Sequence, residues 1–191
     1  MKFLIAGLGN IGAEYVETRH NIGFDVVSVL ANKHRGTWRT DRLADVCDIS
    51  IKGKKLVLIK PSTYMNLSGR AIKYWLDAEK IPIEHLLVVV DDLAFPLDAI
   101  KLKKSGSDAG HNGLKNIQEV LGTQQYPRLR FGIGNNFAKG RQVDFVLGRW
   151  LDQEMPLVNK KVAVACEMIE CFCTIGIDRT MNLYNNTPVK P

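Results

Sequence analysis

The chain lacks a long apolar run, any C-x-x-C cysteine pair and any low-complexity linker, and each lack removes a class of protein. Phe3 to Leu8, behind a single lysine, is too short for a secretory signal and far too short to span a bilayer, so a cytoplasmic protein with no membrane partner is expected. Cys47, Cys166, Cys171 and Cys173 show no disulfide or zinc spacing, and three of them fall in one apolar segment, where thiols sit reduced in a core. No histidine pair has the i, i+4 spacing of a helical metal site, and no Cys/His cluster exists, so no metal is expected. There is no G-x-S-x-G elbow, and Ser68 stands before Gly69 at what reads as a helix start. A water nucleophile therefore fits better than a covalent one.

What is present suits one globular domain. At 191 residues and 46% hydrophobic, the chain can bury a core without cross-links, and residues 1–184 are expected to form a single catalytic domain. Residues 185–191 hold two prolines and no apolar stripe, and read as a loosely ordered tail. A net charge of +6 favours polyanionic partners. Strand-length apolar runs occur at Lys2 to Ala6, Lys55 to Lys60, His85 to Val90, Ala99 to Lys103 and Arg128 to Ile133. Helical periods cover Ile22 to His34, Ser68 to Glu79, Gly113 to Leu121 and Asp152 to Ile175, and Leu43 to Ile51 pairs with Lys55 to Lys60 as a hairpin. The expected fold is α/β, a single-domain three-layer arrangement with a mixed twisted sheet and helices on both faces.

Gly7, Gly9 and Gly12 match the dinucleotide pattern G-x-G-x-x-G, but the helix that should open at the third glycine is late. Apolar periodicity begins only with Ile22, Val26, Val29 and Leu30, with Asn21 as an N-cap candidate. The glycines read better as a tight loop delivering Asn10, Tyr15 and His20 to one place, and no cofactor is expected. Other polar residues also follow strands: Asn66, Asp91, and His111 with Asn112. In open α/β sheets the crevice outside the carboxyl ends of the strands is the ligand site, so these residues would converge there. His20 is the first candidate base, with Asp91 to orient it; the alternative is a loop histidine bonded to backbone. Asp92 points to the other face, and His34 and His85 read as structural. Asn10, Asn66 and Asn112 offer amides that suit a peptide backbone or a polarised carbonyl, though each alone also fits turn or capping duty. Lys101, Lys103, Lys104, Lys115, Arg128 and Arg130 flank the region as either a solvated face or a phosphate track.

Five blocks, GLGNIGAEYVETRHNIGF, KPSTYMNLSG, VVVDDL, GSDAGHNGLKNI and YPRLRFGIG, together resemble the bacterial-type peptidyl-tRNA hydrolase family from Met1 to beyond Gly148. The resemblance implies a monomeric α/β hydrolase that cleaves the ester between a peptide and the terminal ribose of transfer RNA, without a cofactor. It implies His20 as catalytic base, Asp91 as the group orienting it, and Asn10, Asn66 and Asn112 as positioning amides, Asn10 being the one expected to steady an oxyanion. His111 would be a companion in the cleft, Tyr15 and Met65 peptide-side contacts, and Lys103 and Arg130 holders of an RNA phosphate. Ile11 stands where the family commonly has proline, and Ala109 where it has glycine; the latter strains its loop if the position needs positive φ. The rival from another class is a non-catalytic RNA-binding protein on the same scaffold, against which the retention of His20 with Asp91 speaks.

Overall fold

The computed structural model describes residues 1–191. Seven strands, β1 (Lys2–Gly7), β2 (Arg39–Asp41), β3 (Ala44–Ile51), β4 (Lys54–Pro61), β5 (Leu86–Asp92), β6 (Ile100–Lys103) and β7 (Arg128–Gly132), form one sheet in the order β2-β3-β4-β1-β5-β7-β6. The central strands β4, β1, β5 and β7 run parallel, while β2, β3 and β6 join antiparallel, so the sheet is mixed as expected. The helices are α1 (Ile22–Lys33), α2 (Ser68–Glu79), α3 (Asn112–Leu121), α4 (Gln142–Val146), α5 (Met155–Ile175) and α6 (Ile177–Tyr184).

Strand alternation builds both cores. Along β1, Phe3 and Ile5 enter the core under α1 and α5, while Leu4 and Ala6 enter the core under α2 and α3; β5 divides Leu87 and Val89 from Leu86, Val88 and Val90 in the same way. Strands covered on both faces are apolar over most of their length, which makes β1 and Leu86 to Val90 of β5 legible as continuous runs, whereas β7 alternates Arg128 and Arg130 with Leu129 and Phe131.

The glycine motif has a packing explanation. A Cβ at Gly7 would stand 2.1 Å from the Gly23 carbonyl oxygen, and one at Gly23 would stand 2.4 Å from the Leu8 nitrogen. Helix α1 therefore lies on β1 backbone against backbone, and only Gly12, at φ +115°, answers to a conformational need. Asn21 occupies the N-cap position of α1, yet its side chain makes no capping bond. Instead its Oδ1 accepts from the Asn10 N–H at 2.8 Å and its Nδ2 donates to the Asn10 carbonyl at 2.9 Å, because that loop backbone has no ladder to pair with.

Strand direction corrects one expectation. β6 runs antiparallel to β7, so its carboxyl end lies at the amino end of the parallel strands. The loop after β6 has to return along β7, and two arginines hold it there: Arg128 donates to the Gly106 carbonyl at 2.9 Å and Arg130 to the Ser107 carbonyl at 2.8 Å. His111 reaches the carboxyl ends by that return. The segment read as a loose tail is tied to the edge of β6: the Asn185 side chain bonds both the N–H and the carbonyl of Leu102, each at 2.8 Å, and Val189 is buried with its N–H on the Asp98 carbonyl.

Candidate active site

Asp91, at the end of β5, is buried, and its carboxylate receives two imidazoles. His20, in the turn Arg19–Asn21 that precedes α1, places Nδ1 2.9 Å from Oδ2 and 3.0 Å from Oδ1. His111, at the N-cap of α3, places Nε2 3.0 Å from Oδ1. The other nitrogen of His111, Nδ1, faces the first turn of α3 and accepts from the Gly113 and Leu114 N–H groups at 3.1 and 3.4 Å. That capping duty fixes the tautomer, since a nitrogen that accepts carries no proton, so His111 donates its Nε2–H to Asp91. For His20, donation through Nδ1 leaves Nε2 as an unoccupied acceptor.

The charges follow from this geometry. Burial alone disfavours the Asp91 carboxylate, but the His111 and His20 rings and their hydrogen bonds overcome it and hold the carboxyl well below the usual range. For His20, burial opposes protonation, and the charge and hydrogen bond of Asp91 outweigh it, so its pKa is raised above the ordinary imidazole value. His20, Asp91 and His111 bring one ligand atom each within 4.8 Å of one another, a donor set of metal-binding type. To bind an ion through Nε2, however, His111 would have to carry its proton on Nδ1 and leave two N–H groups of α3 without an acceptor, which argues against that use.

A cavity of about 100 Å³ opens over this pair, lined by His20, Asp91, Asn112 and His111 with Arg130 and the α4 residues Gln142 and Val143. Asn10, in the loop after β1, is not among the residues that line it. Its Oδ1 accepts from the Met65 N–H at 2.7 Å, so the amide orientation is set and Nδ2 is the end left to donate. Met65 itself is buried, with its sulfur in the packing beneath α3, whereas Asn66 and Asn112 are exposed and Tyr15 is half-buried.

The basic residues separate into two kinds. Arg130 is 8% exposed, with one guanidinium nitrogen on Asp92 at 3.0 Å and another on the Ser107 carbonyl. Arg128 is wholly internal, spent on four carbonyls and stacked on Tyr126. Lys103 is exposed and makes no ion pair. By strand register Ile100 is level with Asp91, and Lys103 lies three residues further along β6, roughly 10 Å away at the strand rise. Asp92, read from the sequence as the idle neighbour, is the buried counter-ion of Arg130. Sequence reasoning also passed over Arg19 and α4; the only signal for the first was its place beside His20. Ala109 does adopt positive φ, +50°, so the loop before His111 carries the strain expected of a non-glycine there.

A mixed sheet with its polar residues gathered beyond the parallel strands, and an imidazole held by a buried carboxylate, is the make-up of an α/β enzyme. The model of the peptidyl-tRNA hydrolase family matches residues 4–191. Relatives named peptidyl-tRNA hydrolase include those of Phocaeicola vulgatus, 55% identical over 97% of this chain and 99% of the relative, and Porphyromonas gingivalis, 54% identical over 97% and 100%. The crystal structure of peptidyl-tRNA hydrolase from Acinetobacter baumannii superposes with a TM-score of 0.92 at 34% identity, covering 97% of this chain and 95% of that one. The chain belongs to the peptidyl-tRNA hydrolase family.

Proposed function

We propose that the chain hydrolyses the ester joining a peptide to the 3′-terminal ribose of tRNA, with His20 as general base and Asp91 as its orienting partner. The observation that carries this reading is the bond from His20 Nδ1 to Asp91, which leaves Nε2 open toward the cavity side chains. His20 Nε2 takes a proton from water as the water oxygen attacks the ester carbonyl carbon. The Asn10 amide, held by Met65, donates to the oxyanion that forms. Collapse breaks the bond to the ribose oxygen, which leaves with the proton returned by His20. A ribose alkoxide is a far better leaving group than the amide anion a peptide bond would expel, so one base suffices and no acyl-enzyme is required. Asn66, Asn112 and Tyr15 supply contacts to the peptide and the RNA terminus, and Met65 contributes through its backbone. Lys103 takes an RNA phosphate, with Arg130 as a lesser contributor because its charge is already balanced.

The test is release of N-acetylaminoacyl groups from tRNA beside the unblocked aminoacyl form. Selective hydrolysis of the blocked substrate is expected. His20→Ala should cut kcat on the order of 10²–10⁴-fold while tRNA binding persists. Near-normal turnover in that variant would remove His20 from the role of base.

A further inference from the structure

We infer that Arg19 is a positioning residue for this hydrolysis, clamping the turn that carries His20 to α4, the short helix that walls the cavity, so that base and wall are held as one unit. The inference rests on the reading of His20 as base. Arg19 and His20 are neighbours in one tight turn, and their side chains serve opposite sides of it: His20 bonds Asp91, while Arg19, only 6% exposed, reaches the segment 145–154. One guanidinium nitrogen donates to the Phe145 carbonyl at 3.1 Å, and another to Glu154 at 3.2 Å. The guanidinium carbon lies 4.2 Å from the Phe145 ring centroid and 5.5 Å from that of Trp150. The Arg19 backbone N–H adds a bond to the Gly148 carbonyl at 3.0 Å, and Thr18 forms a lone bridge with Arg149.

The surroundings of the guanidinium match that role. Helix α4 buries no residue fully and has no side-chain cap, yet Gln142, Val143 and Val146 line the cavity; Phe145 and Val146 pack against the core, and Arg19 adds the hydrogen bond that ties the Phe145 carbonyl to the His20 turn. Space is also reserved for the guanidinium, since a Cβ at Gly148 would lie 3.0 Å from an Arg19 nitrogen. Arg19 Nε is buried with no partner, a cost a simple apolar side chain would avoid. Glu154 is itself fixed by accepting the Leu151 N–H at 2.8 Å, so the clamp ends on a rigid anchor ahead of α5.

The experiment follows the His20 ring by NMR titration and, separately, kcat and KM on N-acetylaminoacyl-tRNA below the melting temperature, in wild type, Arg19→Met, Arg19→Lys and Glu154→Gln. Burial and Asp91 of β5 set the His20 titration, and the other titratable or charged groups around the cavity are His111 before α3, Asp92, Asp108 and Arg130. In Arg19→Met the turn slips from Asp91, so the His20 pKa falls toward that of free imidazole and kcat drops on the order of 10–100-fold, the scale of a misplacement near 1 Å. Arg19→Lys restores little, because one ammonium cannot serve the Phe145 carbonyl, Glu154 and the ring face together. Glu154→Gln moves both readouts the same way by less. An Arg19→Met protein that melts earlier but keeps the wild-type His20 titration and kcat overturns the inference. If that variant does not fold, unchanged values in both Arg19→Lys and Glu154→Gln overturn it instead. The NMR titration needs no turnover, so it stays separate from the His20→Ala test of the base.

Discussion

One carboxylate, Asp91, accepts from two imidazoles that are not equivalent. His111 is locked by the helix it caps, so only His20 can exchange a proton at its far nitrogen. With His20 as the proposed general base, hydrolysis would need it neutral, so activity should fall as pH drops through its pKa, and the raised value should set that acidic limb higher than for an ordinary imidazole. In Asp91→Asn the raising charge is gone. The limb should move to lower pH, and kcat on the plateau should fall on the order of 10²-fold or more as the ring loses its tautomeric control. A kcat/KM profile against pH checks both, and an unmoved limb would detach Asp91 from His20. The partnership of residues 20 and 91 was legible because Asp91 ends an apolar strand and His20 stands between the glycine loop after β1 and the first helical period. The internal pairing of Arg130 with Asp92 was not, because sequence shows a charge without showing whether its counter-charge lies in the same molecule.

Secondary elements were legible where they were long and continuously apolar. The parallel strands and helices α1, α2, α3 and α5 could be placed to within a few residues, since burial on both faces imposes the pattern. β2, α4 and α6 are too short for a period to emerge, and Gly176 at φ +92° separates α6 from α5. The direction of β6 was also hidden, because periodicity carries no information on which neighbour a strand chooses. The contact between α1 and β1 has a sharp requirement. Gly7→Ala would drive a methyl into the Gly23 carbonyl, and neither element can move without disturbing a core. A loss of about 3 kcal/mol or more is expected, or a melting temperature lower by roughly 6–12 °C, measurable by thermal unfolding. A melting temperature within a degree of wild type would mean the two backbones are not in contact.

Across the whole molecule the +6 charge is spread unevenly in use. Arg130 in the cavity wall and Arg128 level with Lys103 are both spent internally, while Lys103 stands free, roughly 10 Å along the sheet from the level of Asp91. A substrate spanning both points must be long, which suits a tRNA end whose ester and phosphates are separated. Lys103→Ala should raise KM, leave kcat unchanged, and lower the slope of log affinity against log salt by about one phosphate contact. Arg130→Ala should differ in kind: it strands Asp92 in the interior and should destabilise the fold by about 3–5 kcal/mol. Equal salt slopes in wild type and Lys103→Ala would move the RNA contact elsewhere.

The amide of Asn185, bonded to both the N–H and the carbonyl of Leu102, imitates an additional strand on one margin of the sheet. The opposite margin is a three-residue strand bearing Arg39 and Asp41. One border is covered at Leu102 and the other is short and charged, features that disfavour strand addition between copies, the usual route to β-aggregation.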